Sequence, residues 1–479
     1  MSPDSMQRWC ERILAPAADD RVSLQQFLAD IPSLDALADL PSGTPVVIRG
    51  DVDAKPGKTV GDGDIRLRSM KETLDYGRQR GWKQIVFGHI GRDPTATLEK
   101  VAARLGEILG APVPLVKGWL NETVNRTQDA AGKEKVEVVD VSIDDDAAAT
   151  IAAAAPGSVL MLENTRQYEI ERVLWKAKPA DLAKLAPPLA KLADEFRAKV
   201  AKHYVNEALS AGSLDASTLV APAAMDRAVL GAYVRQQFAE PMIDCLKADL
   251  VVFSGLKTDK LDDLEAIISR GRVRWVFAAG SLAMALSKAQ ALLDGGQFSI
   301  GKQEDPQYAK EGFYVSPERV EQARRMIAKG RTQGIAFVLP VDFRLQDGRV
   351  SDTIGSGDQQ FDIGPKSSAL FAQKVDEFIA ASQGNSAVAF HNGVFGFVEC
   401  KEQNFAEGTK AFMKDLKRMK DAGIRVYIGG GEGGKALDDY GHADWVTHVF
   451  TAGGTVLNAL GSEPVPYLVA LRMAAARGK

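Results

Sequence analysis

The sequence predicts an α/β protein built as two doubly wound parallel-sheet domains joined by a helix and hinge. Three observations carry this. Short β-branched or aromatic runs recur along the chain, apolar on both faces: PVVIRGD (45–51), QIVFGHIG (84–91), SVLMLENT (158–165), DLVVFSG (249–255), RWVFAAG (274–280), IAFVLPVD (335–342), SAVAFHNG (386–393), RVYIGGG (425–431) and WVTHVFTAGG (445–454). Helical patterns follow them, at 67–80, 96–109, 263–271, 282–293, 316–330, 366–383 and 405–422. Strands apolar on both faces and alternating with helices belong to parallel sheets covered on both sides. Finally, 479 residues are too many for one comfortable domain and suit two.

Taken in order, residues 1–33 form an N-terminal extension with helices over 5–15 and 23–30. Residues 34–225 form the first sheet domain and residues 226–460 the second, with a linking helix in 219–247. Residues 461–479 return to the first domain. The Ala/Lys/Leu-rich stretch 171–202, with Pro187 and Pro188 together, reads as an inserted helical hairpin.

Composition removes several classes of function. Hydrophobic residues are 45% and charged residues 25%, the balance of an ordinary globular chain and not of a disordered or collagenous one. The formal charge is −4, with no basic excess to neutralise a nucleic-acid backbone. Cys10, Cys245 and Cys400 are widely separated, which excludes a disulfide framework and argues against a cysteine zinc site. Five histidines give little material for a multi-histidine metal centre. No apolar run reaches 18 residues, and the acids in residues 1–32 are foreign to a signal peptide. The expectation is a cytoplasmic monomer with no nucleic-acid or membrane partner.

Ligands of open α/β sheets bind at the carboxyl ends of the strands. In the first half those ends carry Arg49, Asp51 and Asp53, then His89 and Arg92, then Glu163, Asn164 and Arg166, with Arg66 and Arg68 on a helix start. Arginine captures carboxylate or phosphate bidentately, so a basic rim for a small anion is expected. In the second half the ends are glycine-rich: SGLKTDK (254–260), AAGS (278–281), HNGVFG (391–396), GGGEGG (429–434) and TAGGT (451–455). Glycines there let backbone N–H groups approach phosphates. Lys257 and Lys260 add charge, and Glu432 is a candidate Mg²⁺ ligand. Two motifs compete for GGGEGGKA. Gly429, Gly431 and Gly434 satisfy GxGxxG, yet 446–454 holds no acid for a ribose; Gly429 with Gly434 and Lys435 satisfies GxxxxGK, yet Ala436 stands where a Ser or Thr meets Mg²⁺. Each is incomplete.

The motifs taken together resemble one family, the phosphoglycerate kinases, from about residue 34 to about 465. FDIGPKS (361–367) is the most specific string. HNGVFGFVE (391–399) with FAEGT (405–409), IGGGE (428–432) and HVFTAGGT (448–455) are similar to its nucleotide-side motifs. VVIRGDVDAKPG (46–57), DIRLR (64–68), GHIGR (88–92) and LENTR (162–166) are similar to its substrate-side motifs, all in the family's order. The resemblance implies a hinged two-domain enzyme moving a phosphoryl group between the acyl phosphate of 1,3-bisphosphoglycerate and ADP, with Mg²⁺ and ATP or ADP as cofactor. It implies that Asp51, Asp53, Arg66, His89, Arg92 and Arg166 hold the glycerate, and that Lys257, with Arg66, stabilises the migrating phosphoryl. It places Gly255, Lys260, Gly280, Asn392, Glu399, Gly430, Gly431 and Gly433 on the nucleotide and Glu432 on the metal.

The departures lie in the same places. Asp53 stands where the family has Asn, and 206–218 (NEALSAGSLDAST) contains no Arg or His where the family has both. Lys257 and Lys260 are three apart instead of four, Glu432 replaces Asp, Gly433 replaces Ser or Thr, and AAGSLA (278–283) replaces GGGMA. Three functions stay open: a phosphoglycerate kinase with a rebuilt site, a paralogue acting on another small carboxylate, and an impaired nucleotide-binding scaffold.

Overall fold

A strand buried on both faces must be covered on both faces, and the chain meets this demand twice. The computed structural model describes all residues except 129–131, 133, 256–259, 384–385, 399, 401–402, 462 and 478–479. It divides into one unit of Met1–Glu240 with Glu463–Lys479 and a second of Pro241–Ser462.

The first unit carries β1 (Pro45–Gly50), β2 (Lys83–Phe87), β3 (Leu115–Val116), β4 (Leu120–Gln128), β5 (Glu134–Ile143), β6 (Val159–Leu162), β7 (His203–Glu207) and β8 (Arg227–Leu230). Six of these form a sheet in the order β3-β6-β2-β1-β7-β8, parallel throughout. Ile48 of β1 lies beside Val86 of β2 and Val205 of β7. Helices shelter both faces, and Val46, Ile48, Leu74, Trp82, Val86, Leu105, Met161 and Val205 belong to one buried cluster. The chain builds outward from β1 to one side and then returns to add β7 and β8 on the other. The switch point is therefore at the carboxyl ends of β1 and β7.

The second unit adds β9 (Leu250–Phe253), β10 (Trp275–Ala278), β11 (Ala336–Val338), β12 (Phe343–Leu345), β13 (Val350–Ser351), β14 (Gln360–Ile363), β15 (Val388–Asn392), β16 (Arg425–Gly429) and β17 (His448–Phe450). Its sheet runs β11-β10-β9-β15-β16-β17, again parallel, so its switch point lies at β9 and β15. A small antiparallel sheet, β13-β12-β14, leads into the helix Pro365–Ala381. Asp342 caps that helix, accepting from the backbone N–H groups of Lys366 (3.0 Å) and Ser367 (2.7 Å).

The nine expected strands are present, and two expectations need correction. The 171–202 stretch is not a hairpin: short turns lead into one helix, Leu182–Glu195, which keeps Pro187 and Pro188 inside it and ends in a π turn. The segment 219–247 is not a single linking helix, because Arg227–Leu230 pairs with β7 as the sheet edge before the helix Ala232–Gln237 begins. The segment 120–143 holds an antiparallel β4–β5 hairpin that its polar composition concealed.

The N-terminal extension is a cover for the first unit. Ser2 Oγ caps the helix Pro3–Leu14 at Ser5 N, and Met6, Trp9, Cys10 and Ile13 form its buried stripe. Trp9 Nε1 donates to Leu219 O (2.9 Å), and Arg477 of the C-terminal helix lies over the Trp9 ring. Arg472 pairs with Asp30 (2.7 Å).

Candidate active site

At the carboxyl end of β1 the rim is built from cations and carboxylates in nearly equal number. Arg49 is buried; its Nε donates to Thr218 Oγ1 (2.8 Å), its Nη1 to Gly50 O, and its Nη2 lies 2.9 Å from His89 Nδ1. It is therefore a framework group under the rim. Asp51 is fully buried, accepts from Ser210 Oγ (2.6 Å) and lies 3.8 Å from Arg66 Nη1; its Oδ2 has no partner among the described residues. Asp53 accepts from Gly91 N (2.9 Å) and from Arg66 Nη1 (3.1 Å). Burial raises the Asp53 carboxyl, but the Gly91 amide and the charges of Arg66 and His89 outweigh it and hold the group below the usual carboxylate range. Arg66 also donates to Asp53 O (2.9 Å).

Arg166 is buried against a carboxylate. Its Nε and Nη2 meet Asp215 Oδ1 at 3.2 and 3.0 Å, Nη2 meets Oδ2 at 3.0 Å, and Nη1 donates to Gly91 O (2.5 Å). His89 Nδ1 is 2.8 Å from Asp215 Oδ2. Burial lowers the His89 pKa, with the nearby guanidinium groups of Arg49 and Arg166 acting in the same sense against the pull of Asp215. Asp215 is held well below the usual carboxylate range: burial opposes this, but His89, Arg166 and Arg49 prevail. Behind it Glu171, fully buried and beside the Asp215 charge, is pushed up to about 7 while accepting from Ser217 N (2.9 Å) and Oγ (2.8 Å).

Other rim residues are structural. Glu163 anchors the start of the helix Glu99–Leu109, accepting from Leu98 N (2.7 Å) and Thr97 Oγ1 (2.6 Å). Asn164 braces Ile90 N and Ala96 O. Arg68 is held by Asp64 and Arg172 by Glu169. Arg92 is exposed in the turn after β2 and has no ion pair with a described residue.

In the second unit a cavity of about 500 Å³ opens at the β9/β15 switch point. Gly280, Gly431 and Gly453 all line it, and each is the first residue of a helix: Gly280–Leu293, Gly431–Tyr440 and Gly453–Leu460. Three helix N-termini thus converge on one space, the arrangement that binds phosphate oxygens. Two glycines are obligatory. A Cβ on Gly280, at φ +65°, would stand 2.6 Å from Gly255 O, and one on Gly453 would stand 2.8 Å from Gly430 Cα.

Gly255, Lys260, Asn392, Gly430 and Glu432 line the same cavity. Lys260 Nζ donates to Ser254 O (2.8 Å) across the end of β9. Asn392 is buried; its Nδ2 donates to Gly429 O (2.9 Å) and its Oδ1 is unpartnered among the described residues. Phe361, Val394, Phe395, Phe397, Val398 and Leu457 make an apolar wall of the kind a nucleobase requires. His391 lies under the floor, stacked on Phe412 (5.6 Å), its pKa pushed down to about 4 by complete burial.

Gly433 is placed differently from expectation. It does not line the cavity but packs against Ile428, where a Cβ would come within 2.8 Å of Cγ2. Lys257 and Glu399 lie outside the described residues. Among the described residues no cluster of three His, Cys, Asp or Glu side chains could hold a metal alone. A single carboxylate, Glu432, beside a phosphate-binding space still fits Mg²⁺, which takes one or two carboxylates and completes its shell with phosphate oxygens and water.

The sequence profile of one family, Phosphoglycerate kinase, matches residues 37–136 and 120–463. The chain belongs to the phosphoglycerate kinase family. It is 27% identical to the phosphoglycerate kinase of Clostridium beijerinckii over 443 residues, 90% of this chain and 96% of that one. It is 27% identical to the cytosolic phosphoglycerate kinase of Triticum aestivum over 456 residues, 91% and 96% of the two chains. The crystal structure of phosphoglycerate kinase from Pyrococcus horikoshii has the same fold, with a TM-score of 0.68 at 22% identity, covering 92% of this chain and 99% of that one.

Family motifs account for framework as well as site. Within FDIGPKS, Asp362 is fully buried, accepts from Gly408 N (3.0 Å) and Ile363 N (2.8 Å), and is pushed up to about 7 chiefly by burial. Asp215, which no sequence motif singles out, joins Arg166 and His89 at the rim. The 206–218 segment stands out for the cations it lacks, while Asp215 has the local look of an ordinary helix-start aspartate.

Proposed function

We propose that the protein transfers a phosphoryl group between an acyl phosphate and ADP, giving ATP and a free carboxylate, or the reverse. Its relatives are named for phosphoglycerate, so on the family match alone the pair is 1,3-bisphosphoglycerate and 3-phosphoglycerate. The observation that carries the reaction class is the convergence of three glycine-led helix N-termini on one cavity with an apolar wall.

In the ATP-consuming direction a carboxylate oxygen attacks the γ-phosphorus as the bond to the β–γ bridging oxygen breaks. The carboxylate is already ionised at neutral pH, so no general base is needed. Positioning and charge compensation remain as the protein's tasks. Arg66 orients the carboxylate, with Asp51, Asp53, His89, Arg92 and Arg166 around it, and Lys257 neutralises charge on the migrating phosphoryl. Gly255, Lys260, Gly280, Asn392, Gly430 and Gly431 hold the nucleotide phosphates, Gly433 supports their loop, and Glu399 takes the ribose. Glu432 would hold Mg²⁺, which screens the phosphate charge when bound.

Calorimetric titration with Mg-ADP and with NAD⁺ tests the nucleotide half. Micromolar to submillimolar Mg-ADP binding is expected, and tighter binding of NAD⁺ would favour the dinucleotide reading of GGGEGG.

A further inference from the structure

Resting on the phosphotransfer reading above, we infer that the acceptor is an unphosphorylated small hydroxycarboxylate, and that Asp215 is the residue that keeps phosphorylated acids out. The rim is not an empty set of anion forks. Asp215 is buried and accepts from four side chains: Arg166, His89 Nδ1 (2.8 Å), Ser213 Oγ (2.8 Å) and Trp175 Nε1 (2.9 Å). The Trp175 ring also lies against the Arg166 guanidinium, 4.7 Å from its centroid to Cζ. A carboxylate supplied by the chain thus occupies the Arg166 fork and closes it to an incoming anion. Removing it from that fork would strand a buried charge on each side.

The remaining charge is small. Arg49, Arg66, Arg92 and Arg166 stand against Asp51, Asp53 and Asp215, with His89 on Asp215 and the buried Glu171 behind it. Arg66 is shared with Asp53 (3.1 Å) and Asp51 (3.8 Å). Cations matched this closely by the chain's own carboxylates suit a single carboxylate guest. A phosphorylated acid brings that carboxylate and a further 1.5 to 2 negative charges, roughly, at neutral pH. Asp51 Oδ2 is a buried acceptor with no donor among the described residues, and a hydroxyl on the guest would satisfy it.

Glycerate and 3-phosphoglycerate differ only by the phosphate, so they make the test. Acyl phosphate formed by the full-length protein from Mg-ATP is trapped with hydroxylamine, and ADP release is followed for each acid. The native protein should use glycerate with kcat/KM at least tenfold above that for 3-phosphoglycerate. Asp215→Asn keeps the shape and removes the charge, and should shift that ratio toward 3-phosphoglycerate by tenfold or more. Trp175 fluorescence, assigned by its loss in Trp175→Phe, should respond to 3-phosphoglycerate in the Asp215→Asn protein and not in the native one.

If the variant does not fold, the native ratio decides alone. A native ratio at or below one overturns the acceptor assignment and leaves phosphotransfer standing. An unchanged ratio in a folded variant overturns the role of Asp215. Transfer to neither acid by the native protein, nor to any other small hydroxycarboxylate, removes the phosphotransfer reading and this inference with it.

Discussion

Replacing Asp53 with Asn should strengthen carboxylate binding at the rim. Asp53 Oδ2 lies 3.1 Å from Arg66 Nη1, and the side chains are 33% and 22% exposed. Two unit charges about 4 Å apart interact by about 4 kcal/mol at an effective dielectric near 20. Exposed pairs measure no more than about 1 kcal/mol, so partial exposure puts this one at about 1.4 kcal/mol, a tenfold effect. The asparagine oxygen can still accept from Gly91 N, so the turn after β2 keeps its anchor. The released guanidinium binds ground state and transition state alike, so KM for the acid should fall about tenfold with kcat little changed. The gain should shrink as salt is raised. Steady-state ADP release against acid concentration, at two ionic strengths, measures it. An unchanged or raised KM would refute the reasoning and make the Asp53–Arg66 pair a positioning device for the arginine.

Lys257→Ala should abolish transfer while leaving Mg-ADP affinity within about tenfold, because charge on the migrating phosphoryl acts mainly in the transition state; retained turnover in single-turnover experiments would make Lys257 structural. Gly280→Ala forces a Cβ to within 2.6 Å of Gly255 O at φ +65° and should weaken Mg-ADP binding by about 2 kcal/mol or more, some thirtyfold, by calorimetry. Asp362 gives a pH signature. Its folded pKa of about 7 exceeds the unfolded value, so its contribution to stability is full below about pH 4 and is lost as pH rises through 7, by up to about 4 kcal/mol. The melting temperature of Asp362→Asn relative to the native protein should therefore climb between pH 4 and 7 and level off above 8. A flat difference would show that the carboxylate is ionised in the fold without penalty.

The nine strands legible in the sequence are those whose apolar runs end in glycine or polar turns. Those it concealed have physical reasons. His203–Glu207 places His, Asn and Glu in a fully buried strand, and its position between β1 and β8 overrides its composition. Arg227–Leu230 is four residues long and runs straight into a helical pattern, so no local period separates the two. In β4 and β5 the burial alternates weakly over mostly polar residues, a pattern readily taken for a loop. The glycine-led cavity was readable because each phosphate-facing feature sits directly after a strand. At the rim the cations and the acids Asp51, Asp53 and Glu163 are legible at strand ends, and Asp215 is not. Arg166 meets Asp215 across 49 residues, and no local pattern in LENTR or LDAST announces that pairing. The charge balance of the rim is a property of the assembled β1/β7 switch point.

The central claim is transfer of a phosphoryl group to a carboxylate oxygen, and hydroxylamine trapping measures that most directly. With Mg-ATP and a panel of small hydroxycarboxylates that includes glycerate and 3-phosphoglycerate, the native protein should form hydroxamate in one-to-one proportion with ADP for at least one acid. Neither product should form without the acid. ADP release that is independent of every acid, or firm Mg-ATP binding with no hydroxamate from any of them, would contradict the account.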